Sequence, residues 1–187
     1  MQVTDLYQTF LNRAPDPGGL TFWVNYLAQG LTPNMLITQF AYCDEFKLYI
    51  EGLFGSVATR PENNLVNDLY RGFLNRFPDT GGFYNWVTLM KAAQCTGEQA
   101  VRDVTYQIAL AFVQSAEYGL RGRDNWEYVE DLYNGILRRG ADPGGYLNWV
   151  NLLNGGVYTR EQMLKFFTDS AEFQFRVQEV INAGCLP

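Results

Sequence analysis

Apolar residues in the middle of the chain recur with the spacing of one helical face. They occupy positions 66, 69, 70, 73 and 74, which is the i, i+3, i+4, i+7, i+8 pattern of an amphipathic α-helix. The same helix pattern stands in three related segments: Asp5–Arg13, Asp68–Arg76 and Asp131–Arg139. We expect the first two helices to end at Pro15 and Pro78, because a proline ring excludes continued helix.

A short turn follows each of these helices and leads to a second helix that carries a tryptophan. Each turn contains an aspartate, whose side chain accepts hydrogen bonds from the first free amides of a helix, so each is a predicted N-cap. A glycine pair follows, which predicts close approach of the preceding helix. Equivalent positions lie 63 residues apart in both steps. The aspartates are Asp16, Asp79 and Asp142, and the tryptophans are Trp23, Trp86 and Trp149.

A third helix and a short signature close each of the three segments. We expect the third helices to open at Thr32, Thr96 and Thr159. The signature reads Phe-x-x-x-x-Glu-aromatic at 40–46, 112–118 and 167–173, and the second copy lies about two helical turns further on than the others. Small polar residues in it are candidate caps of a short fourth helix: Asp44, Ser115 and Ser170.

No segment shows the alternation and hairpin turns of β-strands. The sequence therefore predicts an all-α fold of three tandem helical repeats of about 60 residues each. The predicted repeats are 1–64 (repeat 1), 65–127 (repeat 2, with the longer third helix) and 128–187 (repeat 3). Because about 60 residues bury only a modest core alone, we expect the repeats to pack into one globule or a short array.

Composition narrows the possible partners of this chain. The net charge is −6, and the basic residues are scattered, so a nucleic-acid partner is not expected. No stretch reaches the roughly 18 apolar residues of a membrane span, so membrane insertion is not expected either. The N-terminus lacks the basic and apolar regions of a signal peptide, which leaves a cytoplasmic location open.

Three cysteines are present, and their odd number argues against a framework made only of disulfides. Cys43 lies in a helical pattern and is interpreted as a small buried apolar residue. Cys95 lies in a predicted loop and Cys185 in the C-terminal tail, and this context allows a Cys95–Cys185 bridge. The sequence leaves open whether that bridge forms.

The motif Leu-Tyr-x-x-Phe-Leu-x-Arg-x-Pro-Asp-x-x-Gly-x-x-x-Trp, followed by Ser-x-Glu-Phe, resembles a bacterial repeat family of unknown function. The motif recurs once per repeat and departs from the family pattern at Ala141 and at Cys43 with Asp44. The family occurs in secreted or surface-associated proteins, often beside calcium-binding repeats, and is distantly similar to the phycobilisome linker domain, a helical assembly module. The resemblance thus implies a secreted or cell-surface location.

Catalysis is not expected from this set of residues. The chain has no histidine, which excludes Ser-His and Cys-His nucleophilic pairs and most zinc sites. No glycine-rich phosphate loop follows a strand, and no stretch matches a calcium-binding loop. The two carboxylates of a glycosidase have different catalytic roles, so they are not expected at equivalent positions of a repeat. The candidate carboxylates of this chain do recur at equivalent positions, which favours a structural role. No metal or cofactor site is predicted.

Each repeat aspartate lies three residues after an arginine, which predicts an Arg–Asp clamp across the turn. The alternative is a repeated polar pocket for a sugar or an acidic group. The pairs are Arg13 with Asp16, Arg76 with Asp79, and Arg139 with Asp142.

Two functional classes stay open, both non-catalytic. The first is a protein-interaction or assembly module, because repeat arrays present extended surfaces. The second is a carbohydrate-binding module that uses exposed aromatic and amide side chains. The repeat tryptophans are expected in the core. The candidate ligand contacts are Trp126, Tyr84, Asn85, Asn148 and Tyr158.

Overall fold

The computed structural model describes residues 3–30, 32–43, 45–46, 48–49, 52 and 60–185. These residues form α-helices and two π-helical segments, and no strand occurs among them, which confirms the all-α prediction. None of the helices within these ranges combines the length and the apolar character needed to cross a bilayer. Asp44, the predicted cap in repeat 1, lies outside the described residues.

The helices follow the predicted order along the chain. In repeat 1 they are α1 (Val3–Leu11), α2 (Pro17–Ala28) and α3 (Pro33–Tyr42). Next come α4 (Pro61–Leu69), which spans the predicted boundary at 64, a π-helical segment (Tyr70–Leu74), α5 (Thr80–Thr96), α6 (Glu98–Val113) and α7 (Ala116–Leu120). The last set is α8 (Asn125–Leu132), which spans the predicted boundary at 127, a π-helical segment (Tyr133–Leu137), α9 (Pro143–Asn154), α10 (Arg160–Asp169) and α11 (Phe173–Asn182).

Two compact units can be distinguished by their internal contacts. Unit 1 comprises Met1–Ala58 and Arg139–Asn148, and unit 2 comprises Thr59–Arg138 and Trp149–Pro187. The apolar core of unit 1 is formed by α1 and α3, and Leu20, Trp23 and Leu27 of α2 pack against it. The repeat boundaries at 64 and 127 stay a prediction.

In repeats 1 and 2 the first helix ends before the proline predicted to stop it, and in repeat 3 the chain turns at the equivalent place although Ala141 replaces the proline. Asn12, Asn75 and Arg138 adopt left-handed backbone conformations, with φ of 51°, 53° and 54°. A residue in this conformation cannot continue a right-handed helix, and asparagine tolerates it better than most other residues. The chain therefore turns at the residue before the repeat arginine, and the proline is not the cause.

A cluster of three aromatic rings recurs in every repeat and joins its helices. A tyrosine of the first helix and a tryptophan of the second both contact one phenylalanine of the third. The Tyr–Phe ring centroids are 4.9, 4.6 and 5.1 Å apart, and the Trp–Phe centroids are 5.7, 5.9 and 5.5 Å apart. The clusters are Tyr7–Phe40–Trp23, Tyr70–Phe112–Trp86 and Tyr133–Phe167–Trp149. The tryptophans are half-buried, so the expectation that they lie in the core is met only in part.

Within unit 2, the two π-helical segments meet at a pair of glycines. A Cβ atom on Gly72 would stand 2.5 Å from Cα of Gly135, so the two backbones touch without intervening side chains. Gly72 therefore has no room for a side chain, and at Gly135 a Cβ atom would stand 2.9 Å from the Phe73 ring. Both glycines occupy the same position of the repeat motif, four residues after its aspartate.

Buried ion pairs on either side of this glycine contact are exchanged between repeats 2 and 3. Arg176 donates to the Ile136 carbonyl of its own repeat (2.9 Å) and to Asp68 of repeat 2 (2.7 Å). Arg121 likewise donates to the Phe73 carbonyl of its own repeat and lies 3.8 Å from Asp131 of repeat 3. The two repeats are therefore paired reciprocally, as in a twofold dimer contact.

Repeat 1 does not carry the residues that this pairing needs. Thr9 stands at the position of the two glycines, and Tyr49 stands at the position of Arg121 and Arg176. The first helix of repeat 1 is a regular α-helix without a π-helical segment. The difference in sequence thus accounts for why the first helices of repeats 2 and 3 lie together in unit 2, whereas that of repeat 1 lies in unit 1.

A disulfide closes unit 2. Cys95 near the end of α5 is bonded to Cys185 after α11, with their Cα atoms 4.9 Å apart. Beside it, the Gln94 side chain donates to the Val180 carbonyl, and Arg60 donates to the Gly184 carbonyl. The C-terminal helix is therefore fixed to α5 by a covalent bond and by polar contacts.

We predict that Gly72→Ala lowers the free energy of unfolding by about 1–3 kcal/mol, the usual cost of inserting a methyl group into a filled contact. Urea denaturation followed by circular dichroism would measure the change. Gly119→Ala is the matched control, because nothing lies within 4 Å of a Cβ atom at that helical glycine. Equal stabilities of the two variants would contradict the backbone contact.

We predict one reactive thiol, that of Cys43, when the unfolded protein is titrated with a thiol reagent without reductant. Replacing Cys95 and Cys185 by serine should lower the free energy of unfolding by about 2–4 kcal/mol, since their bridge constrains the unfolded chain over a separation of 90 residues. Cys43→Ser is the control and should leave stability nearly unchanged. Three reactive thiols would rule out the bridge.

Candidate interaction surface

The turn between the first two helices is held by the predicted aspartate caps. The carboxylates of Asp16, Asp79 and Asp142 accept from the amides of the second glycine of each pair, at 2.8, 2.9 and 2.8 Å. The N-cap prediction is confirmed in all three repeats. These amides lower the pKa of Asp16 and Asp79, because they bind the charged form of the carboxylate.

The second glycine of the pair has a further role beside its tyrosine. A Cβ atom on Gly19 would collide with the hydroxyl of Tyr7, and one on Gly82 would collide with the hydroxyl of Tyr70. The preceding helix does approach the glycine pair closely, as the sequence predicted, and it does so through a tyrosine hydroxyl.

The main partner of the repeat arginine is a glutamate of the signature. Arg13 donates to both oxygens of Glu45, at 2.5 and 2.8 Å, and Arg76 donates to both oxygens of Glu117, at 2.6 and 3.0 Å. The Arg–Asp distances are longer, at 3.9 Å for Arg13–Asp16, 3.7 Å for Arg76–Asp79 and 3.6 Å for Arg139–Asp142. A bidentate pair is geometrically specific, so the arginine joins the end of the first helix to the signature.

The bidentate Arg–Glu pairs shift the pKa values of both partners. The hydrogen bonds from Arg13 and Arg76 lower the pKa of Glu45 and Glu117, and the same bonds raise the pKa of both arginines. Both partners are therefore held in their charged forms. Sequence reasoning missed the two glutamates, although each recurs at a fixed place in the signature.

The five candidate ligand contacts lie on different elements. Tyr84 and Asn85 are exposed on α5, Asn148 is exposed on α9 in unit 1, and Trp126 is 41% exposed near the start of α8. Among the aromatic candidates, the ring of Tyr158 meets that of Phe166 at 4.9 Å, and the ring of Tyr84 lies 6.3 Å from that of Phe83. Phe166 in turn lies 6.2 Å from the ring of Trp149.

A cleft of about 180 Å³ opens in unit 1. Its size is below the roughly 300–1,000 Å³ of typical small-molecule sites, so it has room for one ring or one side chain. None of the five candidate contacts lines it. The lining residues are Tyr7, Leu11, Trp23, Gln39, Phe40, Cys43 and Glu45.

Cys43 is a polar element of this cleft and not the buried apolar residue expected from the sequence. It is partly exposed, and its Sγ donates to the Phe40 carbonyl and accepts from the Phe46 amide, both at 3.3 Å. Ser115 makes the same two bonds in repeat 2. The thiol thus takes the place of a serine hydroxyl at the end of the third helix.

Large apolar side chains are exposed at one recurring position, which sequence reasoning did not identify. The position lies three residues after the signature glutamate. The preceding aromatic residue of the signature faces the core, and a residue two places further on a helix points to nearly the opposite side. The residues are Leu48, Leu120 and Phe175, with exposed fractions of 65%, 89% and 77%. We name them the repeat knobs.

A network of charges lies under the start of repeat 3. Asp131 accepts from Arg123 at 2.6 Å and from the Tyr118 hydroxyl at 2.8 Å. Glu130 lies 3.9 Å from Arg123 and is largely buried. Burial raises the pKa of Glu130 to about 7, with a smaller opposing effect from Arg123. Glu130 is therefore a carboxyl group whose charge changes near neutral pH.

No cluster of three or more His, Cys, Asp or Glu side chains with metal-binding geometry occurs within the described ranges. The described charged groups of the repeat motif bind one another or cap helices. The arrangement supplies exposed apolar and aromatic surface and stable helix ends.

Comparison with known proteins identifies one family. The model of a domain of unknown function (DUF4214) matches residues 2–50 and 109–177, which together make up more than half of the chain. No curated protein and no solved structure matches the chain.

We predict that Glu130→Gln raises the free energy of unfolding at pH 8 by on the order of 2 kcal/mol. Because the pKa of Glu130 is raised in the folded chain, its buried charge destabilises the fold above about pH 7. This cost falls as pH decreases and is absent below the unfolded pKa of about 4.5. Urea denaturation at pH 8 and pH 4 measures both ends of this range.

The same substitution at the exposed Glu179 separates the effect of burial from the effect of lost charge. If Glu130→Gln raised the free energy of unfolding as much at pH 4 as at pH 8, the raised pKa of Glu130 would be contradicted.

Proposed function

The chain belongs to the DUF4214 family of domains of unknown function, and we propose that it acts as a non-catalytic interaction or assembly module. We further propose that it is part of a bacterial secreted or surface-associated protein. The sequence motif resembles that of a family found in secreted or surface-associated proteins and distantly similar to a helical assembly module. We extend this location and this assembly role to the chain.

The repeat knobs carry this proposal. Leu48, Leu120 and Phe175 occupy one position of the motif and are between 65% and 89% exposed. A side chain this exposed adds little to the stability of its own fold, so its recurrence as a large apolar residue favours a role in contact with a partner. Repetition of one contact element along a chain is the means by which repeat proteins bind macromolecules.

The polar residues of the motif support a structural and not a catalytic role. A nucleophile or general base needs an accessible group in reach of a substrate. Here the described Arg–Glu pairs are bidentate, and the aspartates bind glycine amides. The chain also contains no histidine.

The Cys95–Cys185 bridge supports an exported location. Disulfides form and persist in oxidising compartments such as the periplasm and the cell exterior, and they are rare in reducing cytoplasm.

Carbohydrate binding is the second candidate, favoured by the ring group of Trp149, Phe166 and Tyr158. Phe166 is 45% exposed and offers a face to a sugar ring.

We predict that serine at all three repeat knobs leaves the midpoint of thermal unfolding unchanged and abolishes binding of the native partner. Proteins of the host cell envelope are captured on immobilised chain, identified and then tested as purified proteins. Phe77→Ser is the matched control, because Phe77 is 74% exposed but lies outside the recurring position.

A partner bound equally by the triple variant would contradict the proposal. A glycan array is run in parallel with the same proteins. Specific glycan binding that is lost on Phe166→Ala or Trp126→Ala would establish the second candidate in its place.

A further inference from the structure

The second helices of repeats 1 and 2 are oriented in the same way about their axes. Two independent contacts fix this rotation. Gly19 of α2 and Gly82 of α5 both face the tyrosine hydroxyl of their own repeat. Trp23 and Trp86 both contact the central phenylalanine, at 5.7 and 5.9 Å. Residues at equivalent positions of α2 and α5 therefore point in equivalent directions.

One flank of α2 is exposed where its counterparts are buried. Val87 of α5 is 6% exposed and Val150 of α9 is 0% exposed, whereas Val24 of α2 is 49% exposed. Three residues further on, Met90 is fully buried in α5, whereas Leu27 of α2 is only half-buried. None of the twelve residues of α2 is fully buried, although most of them are apolar.

Helices cover the equivalent flank in unit 2. Helix α5 packs against α4, α6 and α11, whereas the described contacts of α2 are with α1 and, through Trp23, with Phe40 of α3. The apolar stripe of α11 consists of Phe173, Val177 and Val180, and the Gln94–Val180 bond and the disulfide hold this helix on α5. The surface that fits such a flank is therefore another helix with an aliphatic stripe.

The charge of the open flank also specifies its occupant. No charged residue occurs from position 17 to position 43, in a chain whose net charge is −6. An uncharged face gains nothing from an ionic partner and excludes an unpaired charge, since burial of such a charge is costly. The face therefore complements an apolar stripe, while charges elsewhere on the partner remain in water.

We propose that the flank of α2 formed by Val24, Leu27 and Ala28 binds an amphipathic helix of a partner protein. The three residues share one helical face, and a helix laid in an apolar groove is a common mode of recognition. This inference rests on the proposed interaction function and specifies the kind of partner segment for one of its surfaces.

The probe is a stapled helical peptide with the sequence 171–184 of this chain, which contains α11 with its apolar stripe. The isotopically labelled full-length protein is titrated with this peptide and followed by NMR. Shifts are expected in α2 around Val24 and Ala28. Val24→Glu and Ala28→Glu should each weaken binding at least tenfold.

Asn25→Glu is the matched control, because it adds the same charge to an exposed position about 100° around the helix from Val24. Circular dichroism verifies that each variant is folded, and a peptide of scrambled sequence controls for nonspecific binding. Shifts in α2 that persist in Asn25→Glu and vanish in the two flank variants support the proposal.

Three outcomes would overturn it: no shift in α2 at millimolar peptide, equal weakening by Asn25→Glu, or shifts of α2 that depend on protein concentration without peptide. The last outcome would identify a second copy of the chain as the occupant. These outcomes leave the test of the repeat knobs unaffected, so failure of the flank and failure of the interaction function can be told apart.

Discussion

The tyrosine of the first helix determines where the parts of a repeat meet. The Tyr7 ring lies edge-on to Phe40 of α3, its hydroxyl abuts Gly19 of α2, and the guanidinium of Arg13 lies 4.9 Å above its face. Tyr70 makes the same three contacts in repeat 2. One side chain thus sets the distances between three helices and places the arginine for its glutamate. The glycine pair and the left-handed turn before the arginine are requirements of this arrangement.

The sequence predicted local features well because their causes are local. Aspartate caps, amphipathic faces and the order of the helices depend on residues within a few positions of one another. The Arg13–Glu45 pair joins residues 32 positions apart, and nothing near Arg13 indicates that Glu45 would replace Asp16 as its main partner. At Thr96, in contrast, a local sequence pattern led to a wrong prediction. We expect this residue to open a helix, but it ends α5, because Gly97 follows with φ of 131° and breaks the helix there.

Differences among the repeats follow from a few substitutions on a common scaffold. Glycine at positions 72 and 135 and arginine at 121 and 176 allow repeats 2 and 3 to pair. Repeat 1 has a threonine and a tyrosine at these places and keeps its own core. The same motif therefore builds first helices that pair between repeats and a first helix that packs into its own core. The recurring residues define the fold that the repeats share, whereas the residues that differ determine how each repeat packs.

The disulfide has a consequence for how the chain carries load. When tension is applied to the two ends of the chain, the force passes directly between Cys95 and Cys185, which are 90 residues apart in sequence. The intervening stretch bears no tension, and about 300 Å of extended chain is withheld from elongation. Force unfolds first the residues before Cys95, which include all of repeat 1, while the long loop with repeat 3 stays slack. The disulfide thus limits how far tension can lengthen the chain.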